Sequence, residues 1–403
     1  MQMAPTFPNS DKNAPSALHR WDALALTTLA LLVYWAVNDG TFMFFNYHLH
    51  LAVSFLEGRT WIQNPPSWLT EFAWYDGRPY VYFDPFPAVF LIPFAQIGGL
   101  EINLAHVSIG VGAANVGLMR LLLGQLGVAR SNANLSSLLL AFGTVHFFAA
   151  EFGNTWLLAH LLACTGLTLA FLETTGRANA FLAGLFCAIA ATSRSPSLLG
   201  APVFLFLLWR REKSFRVIFE FGLPFAMAGA LLAAYNIARF GDPLDNGYIA
   251  ANQALLAPEF GSFSWRYLGQ NLRHYFLLFP SVDATWPYLR ITDHGLGLLA
   301  TTPVVLLVLR RGWSLRAPEA AIIGRSALAG SALIFSLYLV YFWDGWRQFG
   351  SRYTLDFTPL LIVALALRND PRPGIRTWVW PLGVLICCAI NLWGIWYWQT
   401  FLN

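Results

Sequence analysis

Charged residues are scarce in this sequence. Asp, Glu, Lys and Arg fill 11% of 403 positions while hydrophobic residues fill 57%, whereas a soluble domain carries roughly 25% charged residues. That excludes an ordinary soluble globular protein. Cysteine is rarer still: Cys164, Cys187, Cys387 and Cys388 all fall inside apolar runs, which excludes a disulfide framework and a cysteine metal site. There is no Asp-x-Asp pair, no Walker loop and no Gly-rich dinucleotide fingerprint, so no cofactor and no metal ligands are assigned, and metal dependence is left open. Residues 1–18 contain no apolar stretch before a cleavage site, and residues 1–20 read as a cytoplasmic tail. The net charge of +4 is accounted for by basic loops between apolar runs and carries no nucleic-acid signal.

What is present is a series of apolar runs about 15 to 23 residues long, the length that crosses a hydrocarbon core. Such runs are helical because a helix satisfies its own backbone in lipid. The expected fold is therefore an all-α polytopic membrane protein forming a single domain over 1–403. Basic clusters at Arg210, Arg211, Lys213 and Arg216, at Arg310, Arg311, Arg316 and Arg325, and at Arg368, Arg372 and Arg376 are expected on the cytoplasmic side. Alternation from these loops predicts about 11 spans, with the N-terminus inside and the C-terminus outside. Two long segments then lie outside, 38–103 and 239–293. The stretch Pro85 to Gly99 breaks the parity, begins Pro-Phe-Pro and contains Pro93. It is expected as a re-entrant or surface-lying helix inside the first external loop. Aromatic residues reach 16%, more than interface belts require, and some are expected to line a lipid or sugar site.

Five segments carry a resemblance. They are NYHLHLAVSFLEGRTWI (46–62), YDGRPYVYFDPFPAVFLIPF (75–94), AATSRSP (190–196), YNIARFGDPLDNGY (235–248) and FGSRYTLDFTP (349–359). With these the chain resembles bacterial membrane proteins related to the GT-C glycosyltransferases, the superfamily of protein O-mannosyltransferases and of the lipid A aminoarabinose transferase. The likeness runs over most of the chain through loose motifs. It implies a helical membrane domain with juxtamembrane helices and a catalytic acid in the first external loop. It also implies inverting transfer of a sugar from a polyprenyl-phosphate donor to an acceptor hydroxyl of a glycan, lipid or protein, in the bacterial inner membrane with the active site facing the periplasm. Such transfer needs a carboxylate to accept the hydroxyl proton and cations to stabilise the departing phosphate, and Arg suits phosphate oxygens.

Asp39, in the Asn38-Asp39-Gly40 turn that ends the first span, is the candidate base; the plain alternative is an interfacial carboxylate. Asp84 is its rival, or else an N-cap to the helix at 85–99. Glu71 and Asp76 read as solvated. Glu151 is a candidate second acid, with His146 and Asn154 beside it, because related transferases carry an acid in the corresponding turn; proximity to Asp39 would couple the two titrations. Arg194 reads as a phosphate ligand or as an arginine snorkelling to headgroups. Arg352 and Tyr353 open a later span, with Asp356 placed to pair with Arg352 at i+4 and Asp344 placed to pair with Arg347. His48, in the first motif, joins them as a substrate-binding candidate. Asp242 and Asp245 read as turn residues. Tyr248, Trp265, Tyr267 and Trp286 are candidates for stacking on sugar or for interface anchoring. Arg266, Arg273 and His274 lie in a possible amphipathic helix, 263–278, facing phosphate or headgroups, and Asp293-His294 follows without an assigned role. The rival functions are a transporter or flippase for a lipid-linked precursor, and a non-catalytic lipid-binding relative.

Overall fold

The computed structural model describes residues 17–41, 43–256, 258–309, 318–369 and 378–402. Arg310, Arg311, Arg316, Arg372 and Arg376 of the basic clusters lie outside the described residues, as does most of the 1–20 tail. The described residues are mainly helical. Helix α1 (Ala17–Val37) is followed by α2 (Tyr47–Leu56), a two-stranded hairpin of β1 (Ala73–Tyr75) and β2 (Arg78–Tyr80), and α3 (Phe86–Gly98). Next come α4 (Leu104–Gln125), α5 (Arg130–Phe142), α6 (His146–Phe152), α7 (Thr155–Thr175), α8 (Ala180–Ser193), α9 (Ala201–Glu212) and α10 (Phe215–Phe240). The middle of the chain holds α11 (Tyr248–Leu256), α12 (Leu268–Leu272), the short strands β3 (Ser281–Val282) and β4 (Leu289–Arg290), and α13 (Leu298–Thr301). The last part is α14 (Pro318–Leu339), α15 (Thr358–Arg368) and α16 (Val379–Phe401).

Among the described residues, six helices are long and apolar enough to cross a membrane: α1, α4, α7, α10, α14 and α16. The α5–α6 pair, bent by 52°, makes a seventh if counted as one broken span. The helices at 180–193 and 358–368 fall where spans are expected but have only 14 and 11 residues, short of the roughly 20 that cross a hydrocarbon core. The stretch 295–309 is not one helix either, since α13 stops at Thr301 and a 3-10 segment, Pro303–Leu309, continues from it. Pro303 has no N–H to continue an α-helical ladder. Likewise 263–278 is a 3-10 turn, α12 and a π-helical turn at Arg273–Leu277 in succession, and no continuous amphipathic helix.

Burial identifies the interior helix. In α7, 78% of the apolar stretch is buried in protein, against 17% in α1 and in α10. A helix apolar all round and enclosed by protein forms the core, while α1 and α10 present Leu24, Trp35, Phe219 and Leu231 outward, as lipid-facing helices do. Small residues bring neighbours together. A Cβ on Gly184 of α8 would stand 2.2 Å from the Phe221 carbonyl oxygen of α10, and one on Gly112 of α4 would stand 2.4 Å from the Ala150 Cβ of α6. Around α7 sit α4, α8, the start of α15 and the 3-10 turn Arg352–Asp356. Residues far apart in sequence therefore meet at its N-terminal half.

Candidate functional site

Asn154 caps α7 by accepting the Leu157 amide at 2.9 Å. This fixes Thr155, Trp156 and His160 on the first turns of the interior helix. His160 Nδ1 lies 2.6 Å from Asp356 Oδ1, both side chains fully buried. Arg194, at the break between α8 and the 3-10 turn Ser195–Gly200, sends its Nε to Asp356 Oδ2 at 3.3 Å and its Nη2 to the Tyr338 hydroxyl at 3.4 Å. The Tyr338 hydroxyl donates to the same carboxylate. Asp356 is thus held from three helices. It does not form the expected pair with Arg352, because 352–356 is a 3-10 turn, in which residues i and i+4 no longer share a face.

Tyr353 stacks on Tyr338, with ring centroids 4.9 Å apart, and carries both candidate arginines: the Arg194 guanidinium lies 5.1 Å and the Arg352 guanidinium 5.5 Å from its ring centre. Arg352 also lies 5.7 Å from the Trp156 ring. Such cation–aromatic contacts orient a guanidinium plane; within it Arg194 directs Nε and Nη2 to Asp356 and Tyr338, and Arg352 donates Nη1 to the Trp346 carbonyl at 3.2 Å.

Asp84 completes this cluster. It does not cap α3, whose first turn has no side-chain cap bond. Its carboxylate instead accepts the Ser195 amide and the Ser195 hydroxyl, each at 2.7 Å. Burial pushes the Asp84 carboxyl above its ordinary range, opposed by the Ser195 hydrogen bonds and the Arg194 charge. His48 supports the same segment. Its Nε2 is 3.2 Å from the Asp84 carbonyl and its Nδ1 is 2.7 Å from the Thr155 hydroxyl. Burial drives its pKa down to about 4, so it is neutral near pH 7. Glu71, expected in solvent, is half-buried: burial raises its carboxyl while the Arg352 charge and a Tyr82 hydrogen bond lower it. Asp76 is exposed in the β1–β2 hairpin, where Asp76 and Gly77 take φ of 46° and 71°, the pair of left-handed conformations that a two-residue type I′ turn requires. Tyr248 borders the cluster through Tyr82, 5.7 Å away between rings, and its hydroxyl contacts that of Tyr341.

Asp39 and Glu151 form a separate acidic place. Asp39 is exposed after the last turn of α1 and accepts the Thr41 amide at 2.9 Å. Glu151 is buried at the end of α6, where Gln399 Nε2 donates to its Oε1 at 2.8 Å and Asn38 Nδ2 to its carbonyl at 2.9 Å. The Asp39 charge acts on Glu151. His146 is buried against Tyr34, with Nδ1 3.4 Å from that hydroxyl. Arg273 is exposed, and His274 faces Asp344. Asp344 pairs with His274 and His294 rather than with Arg347, whose Nη2 donates to the Leu402 carbonyl at 3.3 Å. Asp242 and Asp245 each accept the amide two residues on, at 2.8 Å, as turn residues do. A cleft of about 250 Å³ lined by Phe44, Asn46, His50 and Glu101 opens beside α2, and none of the candidate residues lines it.

Sequence reasoning missed His160, Tyr338, Ser195 and Trp156. His160 had a signal, an ionisable side chain inside an apolar run; Ser195 adjoined a named candidate; Tyr338 and Trp156 had none among so many aromatics. The arrangement gathers two arginines on one tyrosine ring with a buried carboxyl beside Arg194.

No family model and no curated protein matches the chain. Among solved structures, the chain is similar to the crystal structure of the Archaeoglobus fulgidus oligosaccharyltransferase in the apo form, at 13% identity and a TM-score of 0.49, over 93% of this chain and 55% of that one. The chain spans about half the length of that structure.

Proposed function

We propose that the protein is a membrane glycosyltransferase of the GT-C kind, which moves a sugar from a polyprenyl-phosphate carrier to an acceptor hydroxyl. The observation that carries this reading is the convergence of Arg194, Arg352, Tyr353 and Asp84. In this reading the arginines neutralise the carrier phosphate as it departs, and Tyr353 and Trp156 hold their planes. The acceptor attacks the anomeric carbon, its proton passes to a carboxylate, and the C–O bond to phosphate breaks with the electron pair leaving on the phosphate. Two carboxylates compete for that proton. Asp39 is favoured by the resemblance and by its coupling to Glu151; Asp84 is favoured by its place beside Arg194 and by burial that raises its proton affinity. The geometry supports Asp84 better. His48 fixes the Asp84 backbone, and Tyr248 borders the space where a sugar would lie.

The test uses detergent-solubilised protein with a panel of polyprenyl-phosphate monosaccharides, reading release of polyprenyl phosphate by mass spectrometry. Release by wild type that is lost in Asp84→Asn supports the proposal. No release, with carrier movement between leaflets in proteoliposomes, replaces it with the flippase reading; loss in Asp39→Asn alone transfers the base to Asp39.

A further inference from the structure

His274, His294 and Asp344 bring their ligand atoms within 4.8 Å of one another. His294 Nδ1 is 3.0 Å from both Asp344 carboxylate oxygens, His274 Nδ1 contacts Oδ2, and the two imidazole rings lie 4.5 Å apart between centres. We infer that these three residues form a binding site for a first-row divalent transition metal, Zn²⁺ foremost, that fastens three chain segments and through them sets Arg352.

Two imidazoles and one carboxylate are a donor set that suits Zn²⁺ and its neighbours and leaves further positions open to water or ligand. The site is graded in access: the Asp344 side chain is 7% exposed, His274 14% and His294 43%, so an ion would enter from the His294 side. The surrounding backbone is built to hold these positions. His294 and Asp344 are each followed by a glycine in the left-handed region, Gly295 at φ 76° and Gly345 at φ 90°. A Cβ on Gly345 would stand 2.6 Å from Gln348 Oε1, and one on Gly295 2.7 Å from the Gln348 carbonyl oxygen. Gln348, fully enclosed, donates through Nε2 to the His294 carbonyl at 2.9 Å and the Asp344 carbonyl at 3.0 Å. Its Oε1 accepts the Arg352 amide at 3.2 Å. Leu296 and Gly350 pair as neighbouring extended segments, with the Leu296 amide donating to the Phe349 carbonyl at 2.9 Å. The ion would thus tie the π-helical turn at 273–277 to both extended segments, one Gln348 hydrogen bond from an arginine of the candidate site. The site stands on these contacts alone and not on the transfer reaction.

The full chain, freed of any affinity tag and stripped with EDTA in detergent, is titrated with Co²⁺ and followed by visible absorption, with Zn²⁺ as displacing ion. Wild type is expected to bind one Co²⁺ per chain with the intense d–d bands of a four- or five-coordinate site, and to yield it to Zn²⁺. His294→Ala and Asp344→Asn abolish these bands; His294→Cys restores binding with a new sulfur-to-cobalt charge-transfer band. Gln348→Ala weakens binding about 10–100-fold, and Arg352→Ala leaves it unchanged. Bands of the aqueous ion alone in wild type, or binding undiminished in well-folded His294→Ala, overturn the inference and leave a hydrogen-bonded triad only.

Discussion

The chain holds two acidic places, and they are built differently. Asp39 and Glu151 are gathered at the ends of α1, α6 and α16, and Asp39 is open to solvent. Asp84 is held by Ser195 at the α8 break and by His48 of α2, with the Arg194 charge acting on it and Arg194 and Arg352 both on the Tyr353 ring. Both present a carboxylate at a helix end. The second also brings cations, Arg194 and Arg352 on the Tyr353 ring, so charge neutralisation of a leaving phosphate and proton acceptance would have a common location there.

Substituting the two carboxylates in parallel puts that comparison at greatest risk. Asp84→Asn should reduce turnover about 10²–10⁴-fold, the usual contribution of a positioned base, while Asp39→Asn reduces it less; the reverse order, measured as carrier phosphate released, moves the chemistry to the other place. The buried support behind Arg194 comes next. Asp356→Ala leaves Arg194 without its carboxylate partner inside the bundle and should cost about 3–5 kcal/mol, read as a lowered unfolding midpoint in detergent; an unshifted midpoint would show that the contact does not hold the bundle.

His48 sharpens the same contrast through pH. Its folded pKa of about 4 lies below the ordinary 6.5, so below pH 6.5 the unfolded chain takes up a proton that the fold refuses. Stability is therefore full above pH 6.5 and is lost as pH falls toward 4, by roughly 3 kcal/mol over that window. His48→Asn should flatten the fall in midpoint between pH 7 and pH 4.5; an equal fall in both proteins would discharge His48 from this role. The smallest effect is expected far from either place. Asp242→Ala removes one exposed turn hydrogen bond and should change stability by about 1 kcal/mol or less, with turnover unaltered.

What was legible in the sequence was local. The end of α1 before Asn38-Asp39-Gly40, a helix starting at Pro85-Phe86-Pro87, the Asx turns at Asp242 and Asp245 and the positions of most apolar helices follow from neighbouring residues alone. The span count of about 11 rested on run length, and run length does not register the 52° bend between α5 and α6 or the 3-10 segment after Thr302. The partners of Asp356 were illegible for a different reason. The i+4 rule applies on an α-helix, and the carboxylate instead meets His160, Arg194 and Tyr338, residues brought in by packing around α7. Asp84 read as an N-cap because Asp before Pro is a local signal; Ser195, which engages it, lies 111 residues away. Similarly, nothing in the spacing of His274, His294 and Asp344 announces a triad.

In the proposed reaction Arg194 and Arg352 hold the carrier phosphate. Native mass spectrometry of detergent-purified wild type, compared with the Arg194→Ala/Arg352→Ala double variant, reads that contact. A polyprenyl phosphate or its glycoside is expected on wild type and absent from the folded double variant. Equal retention in both, or ordinary phospholipid alone in both, would contradict it.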